Sequence, residues 1–333
     1  MAGPEARRER PHPSRAGAGR RMVRRNGWTA GVVLLLTGLL LTEKIVHPEL
    51  NVFDLRSLVD GALPLGLAAM AQGTVVLSGG IDLSVGPMMS LVNVVSALFM
   101  AQANLGGALL ISVVLIGAMG LVGGLTGAVI TVTGVPDIIV TLATSFVWAG
   151  LALHIMPIPG GGAPPAFVDL VTGQVGPGLP TGLAVILVAV TFLWLPVQRS
   201  RMGLALYAIG SSRAAAYLSG VNVGWTRIVA YALGGAFAAL GGLALTASTS
   251  NGNAASGASY TLTSVAAIVL GGVSLTGGRG GILGPLAAAF ILTLVNSLLT
   301  FLGVDPNFSL VIQGAIVVLV VMVAGLLLVR SRA

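Results

Sequence analysis

Apolar runs long enough to cross a bilayer recur from one end of this chain to the other. One of them, LAVILVAVTFLWL from Leu183 to Leu195, shows no alternation of apolar and polar residues, so it does not read as a barrel strand. Inside lipid every backbone N–H and C=O must find its partner within the chain, which leaves helices as the spanning element. Charge agrees with this reading. Only 8% of the 333 residues are charged, against about 25% in soluble domains. The expected fold class is all-α, a polytopic membrane protein.

At about 20 residues per crossing, the chain divides into ten expected spans. They cover roughly residues 27–46, 57–78, 84–102, 106–131, 137–156, 178–197, 225–247, 260–277, 281–302 and 308–329. Residues 1–26, rich in Arg, Pro, Ala and Gly, read as a disordered basic tail. The membrane domain would then run over 27–329, with a long basic loop at 198–224 and a short tail at 330–333. Placing the amino terminus in the cytoplasm puts fifteen of the seventeen Lys and Arg residues on the inner side, including the eight arginines of the head. Only Lys44 and Arg56 fall outside, where Glu43, Glu49, Asp54, Asp169 and Asp305 are also expected. Ten spans with both termini cytoplasmic satisfy the positive-inside rule. The same asymmetry explains the net charge of +7 without nucleic acid, which is not an expected partner.

Glycines spaced four apart (Gly120 and Gly124, Gly123 and Gly127, then Gly234, Ala238 and Gly242) predict close helix contacts. Residues 157–177, with their prolines and glycines, read as an irregular outer segment.

Several chemistries are excluded. There is no cysteine, hence no disulfide or thiolate site. His12, His47 and His154 are far apart in sequence, and no metal or other cofactor is expected. No Walker A lysine, His-Glu-x-x-His or Gly-x-Ser-x-Gly pattern occurs, so the chain is not expected to be an enzyme. No acid or histidine lies clearly deep in an expected span, which argues against ion-coupled transport.

Two glycine-rich stretches interrupt the apolar pattern. Gly79-Gly80-Ile81-Asp82-Leu83-Ser84-Val85-Gly86 aligns with Gly271-Gly272-Val273-Ser274-Leu275-Thr276-Gly277-Gly278, identical at four of eight positions. The expectation is two equivalent broken turns near the same membrane side, each ending a helix with a left-handed glycine. Asp82 or Ser84 is expected to accept the free N–H groups of the next helix. The uncharged polar residues Gln72, Ser90, Asn93, Thr141, Thr144 and Ser145 are the candidates for lining a solute path, with interhelical hydrogen bonding as the competing role.

Four segments in order resemble the permease subunits of ABC importers for ribose-type sugars. They are Gly79–Gly86; AIGSSRAAAYLSGVNV over Ala208–Val223; GGVSLTGGRGGILG over Gly271–Gly284; and, more weakly, VPDIIVTL over Val135–Leu142. The resemblance covers about residues 50–325. It implies import of a monosaccharide or similar small polar solute, with a branched-chain amino acid or nucleoside as the near alternative. It implies a separate ABC ATPase subunit, an extracytoplasmic solute-binding protein, a second permease copy and residence in the inner membrane. By the same resemblance, Gly210, Ser212, Arg213, Ala215, Ala216, Ser219 and Gly220 belong to the loop that couples to the ATPase. Gly210 and Gly220 would bracket its short helix, and Ala214, Ala215, Ala216 and Leu218 would fill a groove on the partner. The chain departs from the family at Ser212, where Asn is usual, and at Arg213 or Ala214, where an acid is common.

Overall fold

The computed structural model describes residues 15–46, 48–49, 51–176 and 178–305, with single positions between 308 and 322, and side chains from residue 31 onward. The expected span 308–329, the tail 330–333, residues 1–14 and His47 lie largely or wholly outside the described residues.

Most of the described chain is helical. Helices α1 (Arg15–Val46), α2 (Val52–Leu77), α3 (Val85–Met100), α4 (Leu105–Thr133) and α5 (Asp137–Ile155) follow in order. A short α6 (Pro165–Thr172) and a two-residue hairpin, β1 (Gln174–Val175) with β2 (Leu179–Pro180), lead into α7 (Thr181–Val188). That helix continues through a π-helical turn, Ala189–Trp194, into α8 (Leu195–Arg199). Then come α9 (Arg201–Ser211), α10 (Arg213–Leu218), α11 (Val223–Thr249), α12 (Tyr260–Leu270) and α13 (Leu283–Phe301). Six helical stretches among the described residues are long and apolar enough to cross a membrane.

The core is built around α2. Its start is set by a capping box, in which the Asn51 side chain accepts from Phe53 and Asp54 N–H while Asp54 accepts from Asn51 N–H. From Leu58 inward the helix is almost wholly buried, surrounded by α11, α12, α13 and α7. Helix α11 also packs along α4, as the glycine spacing predicts. A Cβ on Gly123 would lie 2.2 Å from the Tyr231 carbonyl, and one on Gly235 would lie 2.0 Å from that of Met119. Gly234 and Gly242 instead face α2 and α3.

The structure corrects several expectations. Helix α1 is already helical from Arg15, inside the stretch read as disordered, where Ala, Arg and Met favour helix. The expected span 260–277 is an 11-residue helix that stops at Leu270, because Gly271 and Gly272 end it. The loop 157–177 carries α6, whose Phe167 is buried against the bundle. Glu43 is not a loop residue; it lies within α1 and is 4% exposed, hydrogen-bonded by Ser297 of α13. Asp60 lies inside α2, eight positions from its start, paired with Arg56 one turn earlier. An acid does therefore sit within an expected span.

A candidate coupling junction

The two glycine-rich turns begin with the same backbone shape. After α2, Gly79 N–H donates to Val76 O (2.8 Å) and Gly80 N–H to Val75 O (3.2 Å), with Gly79 at φ 80°. After α12, Gly272 N–H donates to Val269 O (3.0 Å) and Val273 N–H to Ile268 O (2.9 Å), with Gly272 at φ 84°. Each is the paired-bond helix stop that a left-handed glycine permits. The register differs by one from the sequence alignment: Gly79 corresponds to Gly272, and Ser78 to Gly271. Each turn leads to a helix opening on Gly-Pro, Gly86-Pro87 in α3 and Gly284-Pro285 in α13. The second turn is longer, and places Gly277, Gly278 and Gly280 at positive φ.

The two turns touch. Gly278 N–H donates to Leu77 O at 3.1 Å. Helix α9 completes the contact through Gly210, where a Cβ would lie 2.1 Å from Leu77 O and 2.3 Å from Gly278 N. Gly210 is therefore a point of close approach inside α9, not the flexible entry to the loop. The break between α9 and α10 is at Ser212, in extended backbone, whose Oγ accepts from Ala215 N–H at 3.3 Å. Two side chains tie the loop to the turns: the Arg213 guanidinium donates to Gly79 O (3.1 Å), and the Tyr207 hydroxyl donates to Gly280 O (2.9 Å).

Beyond this contact α10 faces outward. Ser219 Oγ donates to Ala215 O at 2.8 Å, and Gly220, at φ 80°, turns the chain toward α11. Tyr217 and Leu218 are 72% and 84% exposed. Ala214 and Ala215 are exposed too, but Ala216 is buried within its own chain, so it cannot fill a partner's groove.

The first turn re-enters the protein. The Gln72 carboxamide, oriented to satisfy both of its ends, donates to Asp82 O (2.8 Å) and accepts from Asp82 N–H (3.2 Å). Gln72 lies five residues up α2 from Leu77, about 7 Å along the axis, so Asp82 sits well inside the helix end. Thr141 Oγ1, on α5, also reaches the turn at Ile81 O (3.3 Å). The expected cap is different in kind. The Asp82 carboxylate accepts from the N–H (2.8 Å) and hydroxyl (2.6 Å) of Ser84, and Ser84 makes no side-chain cap to α3. Asp82 and Ser84 are each 1% exposed. Irregular backbone at such a place is tolerated because protein surrounds it.

Behind the turn lies a cluster that the sequence reading did not find. Asp137, first residue of α5, forms an ion pair with Arg227 and accepts from the Tyr231 hydroxyl at 2.8 Å. A Cβ on Gly80 would fall 2.5 Å from the Asp137 carboxylate and 2.8 Å from the Tyr231 hydroxyl. Arg227 and Tyr231 are one turn apart on α11, and that spacing of two hydrogen-bonding side chains in an apolar helix was the available signal.

The remaining candidates for solute contact are engaged elsewhere. Asn93, 0% exposed, donates to Thr246 Oγ1 and Asn251 O (both 3.0 Å) and accepts from Asn253 N–H (2.8 Å). Ser90 accepts from Gly257 N–H at 2.9 Å. Thr144 and Ser145 bond back to carbonyls of α5. Gln72, Ser90, Asn93 and Thr141 clamp one segment to another, the competing role named above, whereas Thr144 and Ser145 bond only within α5.

A bundle of long apolar helices, interrupted by two glycine turns that α9 and Arg213 contact, is the fold of a multi-pass membrane protein. Residues 56–321 match the family described as branched-chain amino acid transport system/permease component, and the chain belongs to that family. It is similar to the ribose import permease protein RbsC of Bacillus subtilis (strain 168), 32% identical over 298 residues, covering 88% of this chain and 91% of that one. The RbsC of Escherichia coli (strain K12) is 34% identical over 266 residues, 77% of this chain and 81% of the relative. The autoinducer 2 import system permease protein LsrD of Photorhabdus temperata is 30% identical over 306 residues, 89% and 91% of the two chains. No solved structure matches the chain. The protein is thus a multi-pass permease of the inner membrane.

Proposed function

We propose that this chain is the membrane-spanning permease of an ABC importer for a monosaccharide or a similar uncharged small solute. It works with a separate ATPase and an extracytoplasmic binding protein, and is not itself an enzyme. The observation that carries the reading is the junction: α9 and α10, at the surface, contact both broken turns directly through Gly210, Arg213 and Tyr207. A motor seated on α10 would therefore move irregular backbone within the bundle, which is the kind of bistable element that a switch requires. Exposed Tyr217 and Leu218 suit a groove on such a partner. The sugar import relatives support the solute class. A branched-chain amino acid fits less well, since the polar residues of α3 and of 250–259 include no charge to meet a zwitterion. Ten crossings with both termini cytoplasmic, and a homodimeric assembly, complete the proposal. The distribution of arginines supports the former.

The test is reconstitution. Uptake of D-ribose into proteoliposomes is expected only when the ATPase, the binding protein and ATP are all present. Accumulation by this chain alone, driven by an ion gradient, overturns the reading. Gly220→Pro forbids the left-handed φ and removes the Gly220 N–H bond to Tyr217 O. It is expected to abolish co-purification of the ATPase, and unchanged co-purification refutes the docking role of α10.

A further inference from the structure

Between α11 and α12 the chain runs without helix for ten residues, SNGNAASGAS, Ser250 to Ser259. It does not leave the bundle. Gly252 and Gly160 exchange two backbone bonds (3.0 and 2.8 Å), and a Cβ on Gly252 would lie 2.8 Å from that of Ala97 in α3. Asn93 holds Asn251 and Asn253, Ser90 holds Gly257, and Thr261 lies against Gly86. The segment therefore follows α3 from the level of Ala97 to that of Gly86, about 16 Å at the α-helical rise. Helix α12 then continues for 11 residues, about 16 Å more. Together they match the roughly 30 Å of a hydrocarbon core. One crossing is thus half a run of turns and half helix.

Much of its backbone is paired, Ser256 N–H to Asn253 O and Ala258 N–H to Ala255 O among others, but lipid offers its polar side chains no partner. Yet its outer side is open: Ala255, Ala258 and Ser259 are exposed, and Asn251, Asn253 and Ser256 are part-exposed. The Asn251 carboxamide and the Ser256 and Ser259 hydroxyls make no hydrogen bond among the described residues. Ser250, which starts the segment, is held at φ 48°, the one non-glycine residue at positive φ among those described. It is the left-handed cap that ends α11, its N–H donating to Thr246 O.

We propose that Ser250–Ser259 is a polar wall of the solute path, and that Asn93 is the positioning residue that fixes its shape. This rests on the reading of the chain as a solute permease. Amide and hydroxyl groups that both donate and accept suit an uncharged, hydroxyl-bearing solute. The wall offers no charge to trap it.

The absence of cysteine permits a direct test. Single cysteines replace Ser256, Ser259, Val113 on the outside of α4 (67% exposed) and Ile158 in the outer loop (78% exposed) in the full-length chain in membrane vesicles. A small charged methanethiosulfonate is expected to modify Ser256→Cys and Ser259→Cys at least tenfold faster than Val113→Cys. A maleimide carrying a large polyethylene glycol is expected to modify only Ile158→Cys. Adding Asn93→Ala is expected to change the Ser256→Cys rate severalfold and leave Val113→Cys unaltered. Rates equal to that of Val113→Cys overturn the proposal. So does ready access of the large maleimide, which marks an ordinary outer loop. Resistance to both reagents, with oxidative cross-linking of two copies through Ser259→Cys, overturns it in favour of a subunit contact. An unchanged rate in the Asn93→Ala background removes the positioning role. Modification needs neither ATP nor uptake, so failure of the importer reading in reconstitution is a separate result.

Discussion

Replacing Gly210 with alanine is expected to cut ATP-driven uptake about tenfold while the protein still inserts. The added methyl would sit 2.1 Å from Leu77 O and 2.3 Å from Gly278 N, whereas ordinary contact begins at 3.4 Å. Both obstructing atoms are main chain, so no side-chain rotation relieves the overlap. Helix α9 must withdraw from the two turns by about an ångström, or the turns must deform. Overpacking of this kind costs about 1–3 kcal/mol. If that cost falls only on the state in which α9 is seated, its population drops about five- to 150-fold, since 1.4 kcal/mol is a factor of ten. The assay is D-ribose uptake in proteoliposomes containing the ATPase and binding protein, with ATP hydrolysis measured in parallel. Uptake per ATP should fall, because the motor no longer grips the turns. Gly281→Ala is the control: it lies in the same glycine-rich stretch, but a Cβ there meets nothing within 4 Å. Wild-type uptake per ATP in Gly210→Ala would refute the argument. Equal loss in Gly281→Ala would refute it too, by showing that the stretch is intolerant of any methyl.

Two further outcomes follow from buried polar contacts. Asp137→Asn leaves Arg227, whose side chain is 8% exposed, without its counter-ion. Breaking a buried pair costs about 3–5 kcal/mol, so the detergent-solubilised protein should aggregate at a clearly lower temperature. Partial recovery is expected when Asp137→Arg is combined with Arg227→Asp, and an unchanged melting curve in Asp137→Asn alone would show that the pair is not structural. Gln72→Leu deprives Asp82 of partners for both backbone groups, at about 1–3 kcal/mol for each buried group left unsatisfied. Limited proteolysis should then cut near Gly79–Ser84, and resistance equal to wild type would argue that another group holds the turn.

The helical class, and the six helices long and apolar enough to cross a membrane among the described residues, were legible in the sequence because apolar run length alone sets them. The breaks at Gly79 and Gly272 were legible in kind but not in register. Matching glycine to glycine aligned Gly79 with Gly271, whereas the left-handed position is fixed by where the hydrogen bonds of each helix run out. Position along a helix likewise failed to tell pathway from clamp. Asn93 and Gln72 look like solute contacts until their partners are known. Those of Asn93 are the Thr246 hydroxyl and two backbone groups, 153 to 160 positions away, and no local pattern reveals them. The run 260–277 was read as one helix because Val273 and Leu275 extend the apolar signal past a stop that glycine geometry enforces. Ser250–Ser259 passed unnoticed as a connector. Ten polar and small residues between apolar runs look the same whether they lie outside the membrane or within it.

The π turn at Ala189–Trp194 carries a different kind of information. Leu195 N–H donates to Val190 O, five residues back, so this turn holds one residue more than the α ladder uses. Removing a single residue from it would restore ordinary α pitch while keeping the phase of both flanking segments. Elsewhere in a helix the same deletion rotates everything beyond it by about 100°. Here Thr181–Val188 and Leu195–Arg199 would keep their outward and inward faces. This turn is therefore a point of length tolerance just ahead of α9 and α10, where a chain one residue shorter would still present α9 at the same angle.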